Sequence, residues 1–368
     1  MQSLRLYDEL TAARTRFLRV DELCRLATEK GALPSPDPDA RLPLREKKGL
    51  EKTQGEFLSE ILSNPVAGTH LCHAMLLPLA ESLARVSEYQ ETGELDLGAV
   101  HLKRHGKASV LTARNPRYLN AEDETTLPAT EMAVDIALLD PKTEVCVLRG
   151  DVVTHTKHAG RRLFGAGINL THLYEGKIRY LWYLIRDLGL VNKLYRGLAV
   201  PDASPELQST EKLWIAAVEG FAIGGHCQIL LTMDYTIAAK DAYLTLPARK
   251  EGIIPGAANL RLPRFVGDRI ARQAILAELR IDCDSAAGRL ICDEIVAPDG
   301  MDDAIAAMVD RLTSSGVVSA AGNRRAFRAG EEPLDTFRRY MAIYAREQAE
   351  CHLSPALVSN LERNWKQR

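Results

Sequence analysis

The sequence predicts an α/β fold, with a strand-and-helix core over residues 99–297, a helical region before it (1–98) and helices after it (298–368). Three observations carry this. Residues 1–98 hold apolar side chains at helical spacing and no strand signal. From 99 onward, short apolar runs alternate with Gly-rich turns and helical segments, the alternation of an α/β domain. From about 267 to the end the pattern is helical again.

In the first region, Phe57-Leu58-Ser59-Glu60-Ile61-Leu62 and Met75-Leu76-Leu77-Pro78-Leu79 are amphipathic. The core opens on a hairpin: Val100-His101-Leu102, a turn at His105-Gly106, then Ala108-Ser109-Val110-Leu111-Thr112. Beyond the loop Leu119-Asn120-Ala121-Glu122-Asp123, Met132, Ile136 and Leu139 share a helical face, and Pro141 stops that helix. Val145-Cys146-Val147-Leu148 reads as a buried strand. Leu213–Val218 runs into a Gly-rich turn and Tyr235–Ala239 into another loop. Residues 302–312 are the clearest C-terminal helix.

At 368 residues and 46% hydrophobic content the chain can bury a substantial core. A net charge of −2 provides no general field for nucleic acid, so an anionic ligand must be gripped locally. Two basic stretches offer this: Lys157-His158-Ala159-Gly160-Arg161-Arg162 and Arg114-Asn115-Pro116-Arg117. No run of about 18 apolar residues occurs and the N-terminus is charged, so neither a membrane span nor a secretory signal is expected, and the compartment is expected to be the cytoplasm. Seven cysteines without a CxxC pair argue against a disulfide framework or a zinc site. His70 and His73 lack an acidic partner in the sequence around them and are read as packing residues.

The chemistry is concentrated in two Gly-rich turns. In Phe164-Gly165-Ala166-Gly167-Ile168-Asn169-Leu170 small residues leave a strand and open a helix, which frees backbone N–H groups for a developing oxyanion. In Gly220-Phe221-Ala222-Ile223-Gly224-Gly225-His226-Cys227-Gln228 a second strand reaches glycines and then an apolar helical run. Cys227 beside His226 invites a nucleophile reading; packing under the glycine is preferred.

In this order the two turns resemble the AGxD-like and GxAxGG loops of the crotonase (enoyl-CoA hydratase/isomerase) superfamily. Leu246-Pro247-Ala248-Arg249-Lys250-Glu251-Gly252-Ile253-Ile254-Pro255-Gly256 is similar to that family's next loop, Arg261-Leu262-Pro263-Arg264 to its following helix, and residues 286–296 to its "GLVDEVV" segment. The resemblance implies a ββα-spiral core, an acyl-CoA substrate, and an oxyanion hole made by the N–H groups of Ile168 and Gly225. One such donor is typically worth roughly 3 kcal/mol in the transition state.

Hydratases of the family use two glutamates, at positions occupied here by Gln228 and Ala248. Neither replacement exchanges a proton near neutral pH, so hydration of a double bond is not expected while enolate formation is. Within the superfamily the chain most resembles the cofactor-independent dioxygenases of glycopeptide-antibiotic biosynthesis that act on 3,5-dihydroxyphenylacetyl-CoA. This likeness rests on Leu119-Asn120-Ala121-Glu122-Asp123, Thr154-His155 through Gly160-Arg161-Arg162, Ala166-Gly167-Ile168-Asn169-Leu170, Gln228 and the run 250–262, and it extends to Asn64-Pro65-Val66-Ala67-Gly68. It implies conversion of an arylacetyl-CoA and O2 to an arylglyoxylate and free CoA, without metal or other cofactor. By the same resemblance, Gln228 orients substrate or peroxide. Glu122, His155 and Arg186 contact the substrate, with Gly224, Ile254 and Gly256 lining its site. His158, Arg161 and Arg162, with Ala166, receive CoA, and the chain forms homo-trimers or homo-hexamers through its C-terminal helices. Two alternatives stand beside this reading: another acyl-CoA enzyme of the superfamily, such as a thioesterase or decarboxylase, and a non-catalytic acyl-CoA-binding protein.

Overall fold

The computed structural model describes residues 2–365. Five helices precede the sheet: α1 (Gln2–Leu10), α2 (Val20–Glu29), α3 (Lys52–Ser63), α4 (Pro65–Leu76) and α5 (Ala80–Thr92). Local chemistry sets their ends. Asn64 caps α4 by accepting from the Val66 and Ala67 N–H groups, with Pro65 in the first turn, and Gly93 at φ 71° ends α5 in the left-handed conformation. His70 and His73 stack on Phe17 with ring centroids 4.7 and 4.6 Å apart, a packing role.

The sheet begins earlier than the sequence indicates. β1 (Glu94–Asp96) pairs antiparallel with β2 (Val100–His105), which pairs with β3 (Ala108–Ala113). A three-residue polar–apolar–polar strand is too short to display alternation, so its signal comes from its partner: Glu94 accepts from Lys103 at 2.9 Å and lies 2.6 Å from the His101 ring. β4 (Val145–Gly150) continues the sheet in parallel after the crossover helix α6 (Leu127–Leu139). It is apolar on both faces because both are covered.

The chain then builds α7 (Leu170–Tyr174), α8 (Tyr180–Ile185), a π-helical turn (Arg186–Leu190), α9 (Val191–Arg196) and a short pair of strands, β5 (Leu198–Ala199) and β6 (Ser209–Thr210). β7 (Leu213–Val218) returns to the main sheet and β8 (Phe221–Ile223) leaves it. α10 (Gly225–Leu230) leads to β9 (Tyr235–Ala239), and β10 (Tyr243–Thr245) and β11 (Ile281–Asp282) join β8 in a second, three-stranded sheet. α11 (Ala248–Glu251) and α12 (Ala258–Leu276) separate β10 from β11, and β12 (Glu294–Val296) closes a seven-stranded sheet of order β1-β2-β3-β4-β7-β9-β12. Four helices follow: α13 (Met301–Thr313), α14 (Ala320–Glu331), α15 (Leu334–His352) and α16 (Pro355–Asn364).

α15 folds back onto α3, joining the two ends of the chain. Ser59 Oγ donates to the Ala342 carbonyl at 2.7 Å, and Gly55 brings the two backbones into contact. Just before α15, the fully buried Glu332 receives Arg196, Arg261 and Arg264 at 3.1, 2.9 and 3.1 Å. No helix among the described residues is long and apolar enough to cross a membrane.

Candidate active site

The two Gly-rich turns are brought together by one strand. β8 runs alongside the segment before Ile168: Gly165 N–H donates to the Phe221 carbonyl at 3.2 Å, and Ile223 N–H donates back to Gly165 at 3.0 Å. β8 then ends in Gly224, whose φ of 53° turns the chain into α10 with Gly225 as its first residue. On its other side the Ile168 segment pairs with the loop 119–123, Glu122 N–H donating to Gly167 at 2.7 Å and Asn169 N–H to Glu122 at 2.8 Å. Ile168 is thus held between two backbone hydrogen bonds while its own N–H, like that of Gly225, has no acceptor among the described residues. The sequence reading placed a helix start at Ile168; the helix α7 begins at Leu170, capped by the Asn169 side chain, so the first donor sits on a pinned loop.

That loop is supported from below by His226, which the sequence reading did not assign. Its ring is buried and Nδ1 accepts the Gly167 N–H at 3.0 Å. Accepting there fixes the neutral tautomer with the proton on Nε2. Burial lowers its pKa, and the nearby Arg186 charge lowers it further against the opposing pull of Glu122. Adjacent Cys227 is buried and its thiol is pushed up to about 12, first by burial and then by Cys283, so packing rather than nucleophilic attack is its role.

Ile168, Gly224, Gly225, Gln228, Ile254 and Gly256 line one cavity together with Glu122 and Arg186. Trp182, Tyr183, Asp187, Ala248, Glu251 and Tyr344 also face it. Arg186 is the organising charge. Its Nε and Nη2 form a fork to Glu122 Oε1 and Oε2 at 2.8 and 2.9 Å. Nη1 reaches Asp187 Oδ1 at 2.8 Å and Gln228 Oε1 at 2.9 Å, and Nη2 also reaches the Gly225 carbonyl at 2.7 Å. These contacts use all five guanidinium donors. Arg186 is therefore a buried hub in the cavity lining that aims Glu122, Gln228 and Gly225.

Electrostatics follow from this hub. Burial would raise the Glu122 carboxyl, but the charge of Arg186 and its hydrogen bonds overcome it and hold it below the usual carboxylate range. Asp187 goes the other way, burial outweighing Arg186. Both acids depend on the π-helical turn, which directs consecutive residues 186 and 187 to one side. Their sequence signal is an Arg-Asp pair between the apolar stretches Trp182-Tyr183-Leu184-Ile185 and Leu188-Gly189-Leu190, since charges in such surroundings must find partners when buried.

The remaining basic candidates divide. His155 lies outside the cavity lining, 6.3 Å from the His158 ring, and His158 packs edge-on against Phe221 on the outer side of β8. Arg162 turns inward to the Gly150 carbonyl at 2.9 Å and Asp151 at 3.3 Å, an acid that Arg114 and the Val152 N–H also reach. Arg161 stays half exposed, paired with an equally exposed Asp241 at 3.2 Å, and can exchange that partner for a phosphate. Ala166, half-buried, is fixed by its N–H to the Leu119 carbonyl at 3.1 Å. One trio among the described residues has metal-ligand spacing, Asp123, Glu124 and His172. In it Asp123 Oδ2 already accepts from Asn115 and Asn169 at 2.9 and 2.8 Å.

Residues 108–347 match the enoyl-CoA hydratase/isomerase family. The chain is 47% identical over 350 residues, 94% of its length and 80% of the relative's, to (3,5-dihydroxyphenyl)acetyl-CoA 1,2-dioxygenase of Amycolatopsis orientalis. It is 28% identical over 245 residues, 66% of its length and 86% of the relative's, to the short-chain-enoyl-CoA hydratase of Clostridium acetobutylicum. An enoyl-CoA hydratase structure from Mycobacterium avium subsp. paratuberculosis superposes with a TM-score of 0.60 at 20% identity, over 74% of this chain and 98% of that one. One from Bacillus halodurans gives 0.61 at 17%, over 72% and 100%, and both show the fold. The chain belongs to the crotonase (enoyl-CoA hydratase/isomerase) family of acyl-CoA enzymes.

Proposed function

We propose that this protein is a cofactor- and metal-independent dioxygenase that converts (3,5-dihydroxyphenyl)acetyl-CoA and O2 to the arylglyoxylate and free CoA. The observation that carries the reading is the pair of unpartnered N–H groups at Ile168 and Gly225 in a cavity where Gln228 and Ala248 stand at the hydratase acid–base positions. The hole favours the enolate, and the cavity wall offers no acid or base at either hydratase position. The 47% identity to a dioxygenase of that name supports the substrate. Glu122, ionised and held by Arg186, retains lone pairs for a ring hydroxyl, and the exposed Arg161, which can trade Asp241 for a phosphate, is assigned with His158 to CoA.

Loss of an α proton gives the enolate, which passes one electron to O2; recombination forms a peroxide at the α carbon. Attack of the peroxide on the thioester expels CoA, and cleavage of the O–O bond with loss of the second α hydrogen gives the α-keto acid. One O2 supplies both new oxygens. Of the two α hydrogens, one leaves on the CoA thiol and the other goes to water as the product ionises. Assembly as a homo-oligomer in the cytoplasm completes the proposal.

The test is oxygen uptake with this substrate in chelator-treated buffer. One O2 consumed per CoA released is the expected result. CoA release without O2 uptake favours a thioesterase or decarboxylase, and no CoA release at all favours a binding protein.

A further inference from the structure

Removal of the α proton needs an acceptor, and the cavity contains six ionisable side chains: Glu122, Arg186, Asp187, Tyr183, Tyr344 and Glu251. Five are committed. Glu122 and Asp187 are tied to Arg186, Asp187 also to Tyr344, and burial keeps both phenols protonated. Arg186 has no donor or acceptor to spare. Glu251 is the one carboxylate among them with no side-chain hydrogen bond or ion pair among the described residues. It sits at the end of the single turn α11, three residues after Ala248 and hence on the same face. Ala248 stops at its β carbon, which leaves that face of the cavity to the longer side chain.

We propose that the Glu251 carboxylate is the general base that takes the α proton of the bound thioester. The inference rests on the enolate reading above. The C–H electron pair moves into the enolate, whose oxygen is held by the Ile168 and Gly225 N–H groups, and the proton moves to a Glu251 oxygen. When the thioester later breaks, that proton leaves with the CoA thiolate and Glu251 is again ionised.

The surroundings suit the task. Burial raises the Glu251 carboxyl to about 7, with repulsion from Glu278 adding to it and Lys250 opposing. Lys250 and Arg249 are themselves drawn to Glu278, at 3.4 and 3.2 Å, which limits their pull. From other elements, α8 presents Tyr183, the π-helical turn Asp187 and α15 Tyr344. α16 presents Leu357 and Asn360 beside Gly252. A base poised near the working pH combines a useful ionised fraction with driving force for proton transfer.

The experiment is deuterium incorporation at the α carbon of (3,5-dihydroxyphenyl)acetyl-CoA in D2O under argon, read by mass spectrometry. Wild-type exchange is expected to rise with pH through about 7. Glu251→Gln should cut it by about a hundredfold or more and abolish the pH limb, while binding of a non-hydrolysable thioether analogue stays unchanged. Glu251→Asp should keep the limb at a lower plateau. Exchange by Glu251→Gln at the wild-type rate overturns the inference, as does a loss that merely follows weakened analogue binding. Failure of the wild type itself to exchange overturns instead the enolate reading on which the inference depends.

Discussion

The guanidinium of Arg186 gives every donor to the protein, so its worth lies in what it holds in place. Glu122→Gln would leave that buried charge with only Asp187 as a counter-ion. Removing one partner of a buried pair costs about 3–5 kcal/mol, and urea denaturation at neutral pH should show a loss of that order. The pH dependence follows from the depressed Glu122 pKa. A carboxylate whose folded pKa lies below its unfolded one adds stability that is complete above the unfolded value, about 4.3. That stability disappears as pH falls through the folded value. The gap between wild type and Glu122→Gln should therefore be flat from pH 7 to about 5 and narrow below about 4.3; a gap flat throughout the acid range excludes an ionised pair. Gly225 is a sharper case. A β carbon there would overlap Glu122 Oε2 and lie 2.8 Å from Arg186 Nη2, so Gly225→Ala must displace one oxyanion donor. Steady-state CoA release should fall roughly 10²–10³-fold in kcat, the usual effect of losing one such donor.

At the scale of elements, the Ile168 loop is a strand-like segment clamped between β8 and the loop 119–123, with His226 beneath it. His226→Phe keeps the ring and removes the acceptor, orphaning the buried Gly167 N–H at a cost of about 1–3 kcal/mol. Because Ile168 is the next residue, kcat should drop roughly tenfold to a hundredfold with KM little changed. An unchanged kcat means that β8 alone fixes the donor. The two Gly-rich turns were legible because glycine, small residues and an apolar run report local backbone demands. Gln228 and Ala248 were legible by their chemical poverty. His226, Asp187 and Glu251 were not, since their roles arise from partners distant in sequence, such as Gly167 for His226 and Tyr344 for Asp187, or from enclosure. Glu251, for instance, reads locally as one more charge in Arg249-Lys250-Glu251. The ion pairing of Arg162 is illegible for the same reason: its carboxylate partners Asp151 and Glu219 are on other elements. β1 was missed because three residues cannot display a period.

At the scale of the whole molecule, the C-terminal helix α15 adds Tyr344 to the cavity wall and is backed by the N-terminal helix α3. α15 carries Tyr340, which donates to the Gly256 carbonyl, Tyr344, which hydrogen-bonds Asp187, and Gln348, which accepts the Ile254 N–H at 2.9 Å. α15 is in turn seated on α3 at Gly55. A β carbon at Gly55 would lie 2.5 Å from the Ala349 β carbon and 2.9 Å from the Ala345 carbonyl oxygen. Gly55→Val must therefore push α15 outward. Overpacking of this kind costs about 1–3 kcal/mol and should lower Tm by several degrees. It should also lower kcat, because the displaced helix carries the groups that hold Ile254, Gly256 and Asp187. Gly330→Ala in α14 supplies the control, since nothing lies within 4 Å of the added carbon. There the helix should gain about 0.5–1 kcal/mol with activity unchanged. Loss of Tm without loss of kcat in Gly55→Val would show that α15 supports the fold and leaves the cavity wall to hold itself.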